Sequence, residues 1–194
     1  MIILLGPECP RIENWFRERG YKLCRTEERL RSDDFVGLPV ELAISYRYQH
    51  VIAPSVVTML VGRLVNLHVS LLPWNRGADP NLWSFVEKSP KGVTVHFIDE
   101  GLDTGDIIAQ RELQFDMGIE TLATSYAKLD EAVVGLFLDV VPALLARQAT
   151  GISQKINAGS YHSIADRRRI EHLLSNGWDT PVSQLCVGVD DDYY

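Results

Sequence analysis

The chain has 194 residues, of which 46% are hydrophobic and 23% charged, and a formal net charge of -7. Those values fit one globular domain with a buried core. No run approaches the roughly 18 apolar residues of a spanning helix, and the opening MIILLGPECP has no basic stretch ahead of its apolar residues, so the expectation is a soluble, cytoplasmic protein with no membrane partner.

Cys9, Cys24 and Cys186 are isolated in sequence, which suggests neither a disulfide framework nor a zinc site, and all three read as free thiols. The acidic balance argues against nucleic acid, whose phosphates need a basic stripe. The strongest basic run, Arg167-Arg168-Arg169, sits between Asp166 and Glu171 and reads as a solvated helix face. A small-molecule acceptor fits the charge better than RNA. Asp190-Asp191-Asp192, with Tyr193 and Tyr194, reads as a frayed end.

In chain order, residues 2 to 5 form a short apolar run stopped by Gly6-Pro7, and Ile12, Trp15 and Phe16 then recur at helical spacing before Gly20, giving strand, turn and helix. Residues 41 to 46 and 64 to 69 have the β-branched, apolar make-up of strands, and residues 93 to 98 read as a strand buried on both faces. From residue 119 the apolar positions Leu122, Tyr126, Leu129, Val133, Leu136, Phe137 and Val140 recur every three or four residues, predicting one long amphipathic helix to about Pro142. Residues 150 to 160 read as a loop, and residues 164 to 174 as a last helix. Alternating strands and helices imply an α/β fold: a Rossmann-like, open, mostly parallel sheet with flanking helices. The domain expectation is a single unit over residues 1 to 194, with a core at about 41 to 130 and an extension at about 150 to 194.

Asn66 and His68 lie two apart in a predicted strand, so their side chains share a face. A Gly/Pro/Asn-rich loop follows at residues 74 to 81, which places both near the strand's carboxyl end, where open α/β sheets bind ligands. Polar groups on an otherwise apolar sheet need partners. The loop DEGLDTGD, residues 99 to 106, offers carboxylates between two predicted strands, with Gly101 and Gly105 permitting tight turns. An aspartate from it can orient His68 and favour its protonated form. His96, amid an apolar strand, reads as a core or strand-face residue, and Trp74, Trp83 and Phe85 read as packing.

NLHVSLLPWNRGADP (residues 66 to 80) and GVTVHFIDEGLDTGDIIAQ (92 to 110) resemble the two signatures of the folate-dependent formyltransferase family. The resemblance implies transfer of a formyl group from N10-formyltetrahydrofolate to a primary amine, with no metal required. By position, Asn66 and His68 match the asparagine and histidine of the family's NxHxS motif, and Asp103 the aspartate of its LDTG-like loop. Asn66 and protonated His68 would donate hydrogen bonds to the oxygen that gains charge, and Asp103 would hold His68 and relay the amine's proton. The folate pocket is implied to involve His50, Val51 and Ile52 before the catalytic strand, and Asp99, Glu100, Gly101 and Leu102 in the acidic loop.

Val69 stands where many members carry proline, and only 65 residues precede Asn66, fewer than in the purine and tRNA enzymes. Gly6-Pro7-Glu8-Cys9-Pro10 lacks the phosphate loop of the glycinamide ribonucleotide enzyme, and no counterpart of the tRNA enzyme's extra domain is expected. The expectation is a free-standing enzyme with spare surface that a homodimer would cover, acting on a small or nucleotide-linked amine such as an amino sugar. Trp74, Arg76 and Tyr161 are candidate acceptor contacts. The alternatives are a non-catalytic folate- or nucleotide-binding homologue and an enzyme acting on an aminoacyl acceptor, of peptide-synthetase or methionyl-tRNA type. Asp103-Thr104-Gly105 also spells the aspartic-protease triplet, but such sites pair two aspartates, and the spacing of Asp99, Asp103 and Asp106 does not make a calcium loop.

Overall fold

The computed structural model describes residues 1–35 and 37–186; the acidic tail from Asp190 to Tyr194 lies outside them. In chain order the elements are β1 (Ile2–Leu5), α1 (Pro10–Arg17), β2 (Leu23–Thr26), β3 (Leu42–Tyr46), α2 (Pro54–Met59), β4 (Leu64–His68), β5 (Arg76–Gly77), α3 (Pro80–Val86), β6 (Gly92–Phe97), β7 (Ile107–Glu112), α4 (Leu122–Leu145), β8 (Tyr161–His162), α5 (Arg167–Ile170) and α6 (Val182–Leu185). The main sheet has the order β2-β1-β3-β4-β6-β7. Its first four strands are parallel, while β4 with β6 and β6 with β7 are antiparallel. The fold is thus the expected α/β arrangement, a mostly parallel sheet with flanking helices. Among the described residues no helix is long and apolar enough to cross a membrane.

Strand alternation divides the core into two layers. Ile2 and Leu4, Leu42 and Ile44, Val65 and Leu67, and Val93 and Val95 point to one face, where α1 and α4 cover them with Ile12, Phe16, Leu129, Val133 and Phe137. Ile3, Leu5, Ala43 and Leu64 point to the other, where α2 covers them with Val56, Val57 and Leu60. Further along that second face the apolar run ends: Ser45, Asn66, His68, Thr94 and His96 occupy positions that would otherwise be core. Gly6, at φ +122°, closes β1 against the end of β3; a Cβ there would lie 1.8 Å from the Tyr46 carbonyl oxygen.

Three expectations change in detail. The long helix begins at Leu122, not residue 119, because Thr121 and Thr124 form a reciprocal capping box, and Ile119 is left outside and exposed. It also runs past Pro142 to Leu145; a proline so near the end removes one backbone donor, and the Ala146 N–H still reaches the Pro142 carbonyl at 3.0 Å. Residues 164 to 174 do not form one helix but the single turn of α5 followed by a 3₁₀ turn, Glu171–Leu173, because Ile170 alone in the stretch is buried and no apolar stripe supports more. The short strands β5 and β8, which pair with each other in parallel, are too brief to show any period.

Phe137 is fully buried between α4, α1 and the sheet. Phe137→Ala should cost about 3–5 kcal/mol of stability in urea unfolding; a loss under about 1 kcal/mol would show that α4 does not close this layer.

Candidate active site

Asn66 and His68 project from the same face of β4, and the antiparallel register sets Asn66 directly opposite His96 on β6. The loop from β6 to β7 then folds back over them. Its ends close with the Phe97 N–H on the Asp106 carbonyl at 2.9 Å, and Asp99 Oδ1 accepts from the Gly101 N–H at 3.1 Å and from Thr104 Oγ1 at 2.7 Å. A Cβ on Gly105 would lie 1.9 Å from the Phe97 carbonyl oxygen, so only glycine allows this approach. Asp103 sits at the loop's turning point in the left-handed region, φ +54°, and is thereby aimed at β4.

Asp103 Oδ1 accepts from Asn66 Nδ2 at 3.1 Å, and Oδ2 from the Gly77 N–H at 2.9 Å. His68 Nδ1 stands 3.7 Å from Oδ2, and His96 Nε2 3.6 Å from Oδ1. Burial works against the Asp103 charge. Attraction to His68 and His96 in their protonated forms, together with the Gly77 N–H, outweighs it and holds the carboxyl well below the usual carboxylate range. His68 shifts the other way: burial pushes its imidazole below its ordinary value despite the attraction of Asp103. Burial thus works against the protonated form of His68 more strongly than the one carboxylate at 3.7 Å favours it.

Hydrogen-bond partners assign the tautomers. His68 Nε2 lies 3.1 Å from the Asn75 carbonyl oxygen and so carries the proton, which leaves a lone pair on Nδ1 facing Asp103. His96 Nδ1 donates to the Phe97 carbonyl at 2.7 Å, and its Nε2 accepts from Asn66 Nδ2 at 3.3 Å. The buried His96 thus belongs to the polar cluster and is more than a core residue. Its signal in the sequence was the two-residue spacing from Thr94, which matters only once the antiparallel register is known.

A further layer lies beneath His68. Asn75 is fully buried at φ +55°; its Nδ2 donates to Glu87 Oε2 at 3.0 Å, its Oδ1 accepts from Ser89 Oγ at 2.8 Å, and its N–H donates to Ser160 Oγ at 3.0 Å. Ser160 Oγ donates to Glu87 Oε2 at 2.7 Å, and His162 Nε2 lies 2.8 Å from Glu87 Oε1. Burial opposes the Glu87 charge, but these partners more than offset it and lower its pKa. Gln154 Nε2 meanwhile binds the carbonyls of Asp103 at 3.0 Å and Gly105 at 2.6 Å. Residues 154 to 162 therefore brace both sides of the site. Asn75 and Ser160 are 85 positions apart, so no local pattern could have joined them.

The three side chains expected to work together line one cavity of about 350 Å³, with His50, Val51 and Ile52 on one wall and Asp99, Glu100, Gly101 and Leu102 on another. Val51 and Leu102 are exposed aliphatics, 76% and 44% accessible, beside this polar floor, an arrangement suited to a flat ring system that covers apolar edges and hydrogen-bonds at its rim. Trp74, Arg76 and Tyr161 are not among the cavity's lining residues; Arg76 and Tyr161 are instead opposed in the small β5–β8 ladder. No group of three or more His, Cys, Asp or Glu among the described residues is placed to hold a metal ion. All three cysteines are free.

Because the native value of Asp103 is depressed, its ionisation stabilises the fold fully above about pH 4 and the contribution is lost as pH falls through the native value. Urea midpoints measured between about pH 4 and pH 3 should fall less steeply for Asp103→Asn than for the parent chain. Equal slopes would show that the native carboxyl titrates like a free one.

Residues 15–141 match the formyl transferase family model. A methionyl-tRNA formyltransferase from Thermodesulfovibrio yellowstonii is 34% identical over 114 residues, 56% of this chain and 37% of that protein; the chain spans about two fifths of the length of such curated relatives. The solved formyltransferase PseJ from Anoxybacillus kamchatkensis, in complex with UDP-4,6-dideoxy-4-formamido-L-AltNAc and tetrahydrofolate, is 42% identical, with a TM-score of 0.90 over 95% of this chain and 96% of that one. A 4-N formyltransferase from Francisella tularensis shares the fold, at 24% identity and a TM-score of 0.74 over 87% of this chain and 78% of that one. The motifs, the sheet and the family match over residues 15–141 agree: the chain belongs to the formyl transferase family.

Proposed function

We propose that this chain transfers a formyl group from N10-formyltetrahydrofolate to the primary amine of a nucleotide-linked amino sugar, using Asn66, His68 and Asp103. The observation that carries the reading is the convergence of those three side chains on the floor of one cavity walled by residues 50 to 52 and 99 to 102. PseJ, with its bound formamido sugar nucleotide and tetrahydrofolate, supports the acceptor class.

When bound, N10-formyltetrahydrofolate supplies a formyl carbon open to attack by an amine. The chain's own groups account for the rest. Asn66 Nδ2 offers one N–H to Asp103 and the other, in a longer 3.3 Å contact, to His96; the longer bond is the weaker, so that N–H is the one released to the formyl oxygen as negative charge gathers there. A donor so placed is worth about 2.7–4 kcal/mol in related acyl-transfer sites. The lone pair on His68 Nδ1 takes the proton lost by the amine, and Asp103 Oδ2, 3.7 Å away, stabilises the imidazolium so formed. A neutral resting His68 is therefore useful: it has a proton to gain. The new bond joins amine nitrogen to formyl carbon, the bond to N10 breaks, and His68 can return its proton to that nitrogen.

The methionyl-tRNA formyltransferases among the relatives raise an aminoacyl acceptor as a second reading. The net charge of -7 disfavours it. Incubation with N10-formyltetrahydrofolate and a panel of UDP- and dTDP-linked amino sugars, read by mass for added formyl, should yield a formamide; formylation of methionyl-tRNA alone would move the acceptor to the second class. Asp103→Asn and His68→Ala should each lower kcat by about 100-fold or more while binding of 5-formyltetrahydrofolate stays within a few-fold. Full turnover in either variant would remove that residue from the chemistry.

A further inference from the structure

A cavity of about 350 Å³ has room for the reacting end of a folate but not for a nucleotide-linked acceptor beside it. A second cavity, about 530 Å³, opens next to it and shares Arg47, Val69, Pro80 and Tyr126 with it. The residues that distinguish the second space are aromatic and cationic. Trp178 is 52% exposed, although it packs edge-on to Tyr126 with ring centroids 5.5 Å apart. Large apolar rings left open to solvent inside a cavity are ready surfaces for a stacked base.

Two guanidinium groups flank these rings. Arg47 follows β3 in the left-handed conformation, φ +53°, which costs backbone energy in a residue other than glycine. Its guanidinium lies 5.5 Å from the Tyr126 ring centre and 5.9 Å from that of Tyr46, on the wall between the two cavities. Arg167 enters from the opposite side, 3.5 Å from Asp79 Oδ2. It belongs to the basic run expected on a solvated helix face, yet it is half-buried and lines the cavity while Arg168 and Arg169 stay exposed. Planar guanidinium forks match phosphate oxygens in geometry as well as charge. The first turn of α4, at Leu122 and Ala123, also borders the space and adds the positive end of a helix of 24 residues.

We infer that this second cavity receives the nucleoside diphosphate of the acceptor, with Trp178 against the base and Arg47 and Arg167 against the phosphates. The sugar then passes Arg47 and Tyr126 to present its amine to the site around Asn66. This assignment rests on the proposed transfer to a nucleotide-linked amine, and it moves the acceptor contacts away from Trp74, Arg76 and Tyr161. Asp79 pairs with Arg167 and offsets its charge, so the pocket keeps net positive charge from Arg47.

Calorimetric titration of the full chain with UDP and with dTDP tests it. At least one should bind, and Trp178→Ala and Arg167→Gln should each weaken that binding by about ten-fold or more, with affinity for 5-formyltetrahydrofolate within two-fold as proof that the variants are folded. Binding of neither nucleotide, or unchanged affinity in both variants, would overturn the assignment. The two readings fail separately. Nucleotide binding lost in the variants, with no formamide formed from any sugar nucleotide by the parent chain, would sink the transfer and leave the cavity assigned. Formamide formed with KM unchanged in both variants would sink the cavity and leave the transfer.

Discussion

The polar site depends on one constraint: a carboxylate, Asp103, has to stay ionised while only 11% of its side chain is accessible. Removing such a group from water costs several kcal/mol unless donors replace the lost hydration. Here they come from two separate places, the Asn66 amide on β4 and the Gly77 N–H on β5, with the imidazoles of His68 and His96 facing the carboxylate at 3.7 and 3.6 Å. Asp103 reaches them only because its backbone takes the left-handed turn that the Gly105 approach and the Asp99 braces enforce. The loop therefore has one conformation in which its charge is tolerated, and that conformation is the one that closes the cavity.

The sheet supplies the second half of this arrangement by changing direction. Where β4 meets β6 the pairing turns antiparallel, so residues stand directly opposite one another and Asn66 faces His96. The amide is then held between an aspartate and an imidazole acceptor, which fixes which end of it is the donor. On the far side, the Asn75 carbonyl fixes the His68 tautomer, and Glu87, Ser89 and Ser160 fix Asn75. Gln154 and Ser160 lie beyond the residues 15–141 that match the family model, yet they hold the two sides of the site in place. Residues after α4 are thus part of the geometry of the site.

Legibility in the sequence followed the range of the interactions. Strand and helix periods are local, so β1, β3, β4, β6 and α4 could be read to within a few residues. Asn66 and His68 could be paired because period two is local as well, and Asp103 joined them through the resemblance of its loop. His96 was read as strand packing because the direction of its strand decides what it faces, and direction is a property of the whole sheet. Asn75, Glu87 and Ser160 were missed because hydrogen bonds across 12 and 85 residues leave no spacing to recognise. Arg167 was read with its neighbours as a solvated run; the brevity of α5, four residues, let one member turn inward while the others did not. The downward shift of His68 was not legible for a related reason, since desolvation depends on how completely the folded chain surrounds it.

The acidic overall balance and the basic second cavity are consistent once the scale of each is considered. Net charge acts at long range and is screened within about 8 Å at physiological salt, so -7 over the chain repels a polyanion that approaches along its surface. A guanidinium on the wall of a concave space acts at contact, where screening by salt is weaker. A small anion inside the cavity is within contact range of Arg47 and Arg167, whose attraction there outweighs the screened surface average. Arg47 also stands on the wall shared with the site of Asp103 and His68, so a phosphate drawn to it would lie beside the entrance to that site. In the proposed reaction, binding energy at the remote end of the acceptor is thereby converted into orientation of the amine, which is where enzymes of this chemical class gain much of their rate.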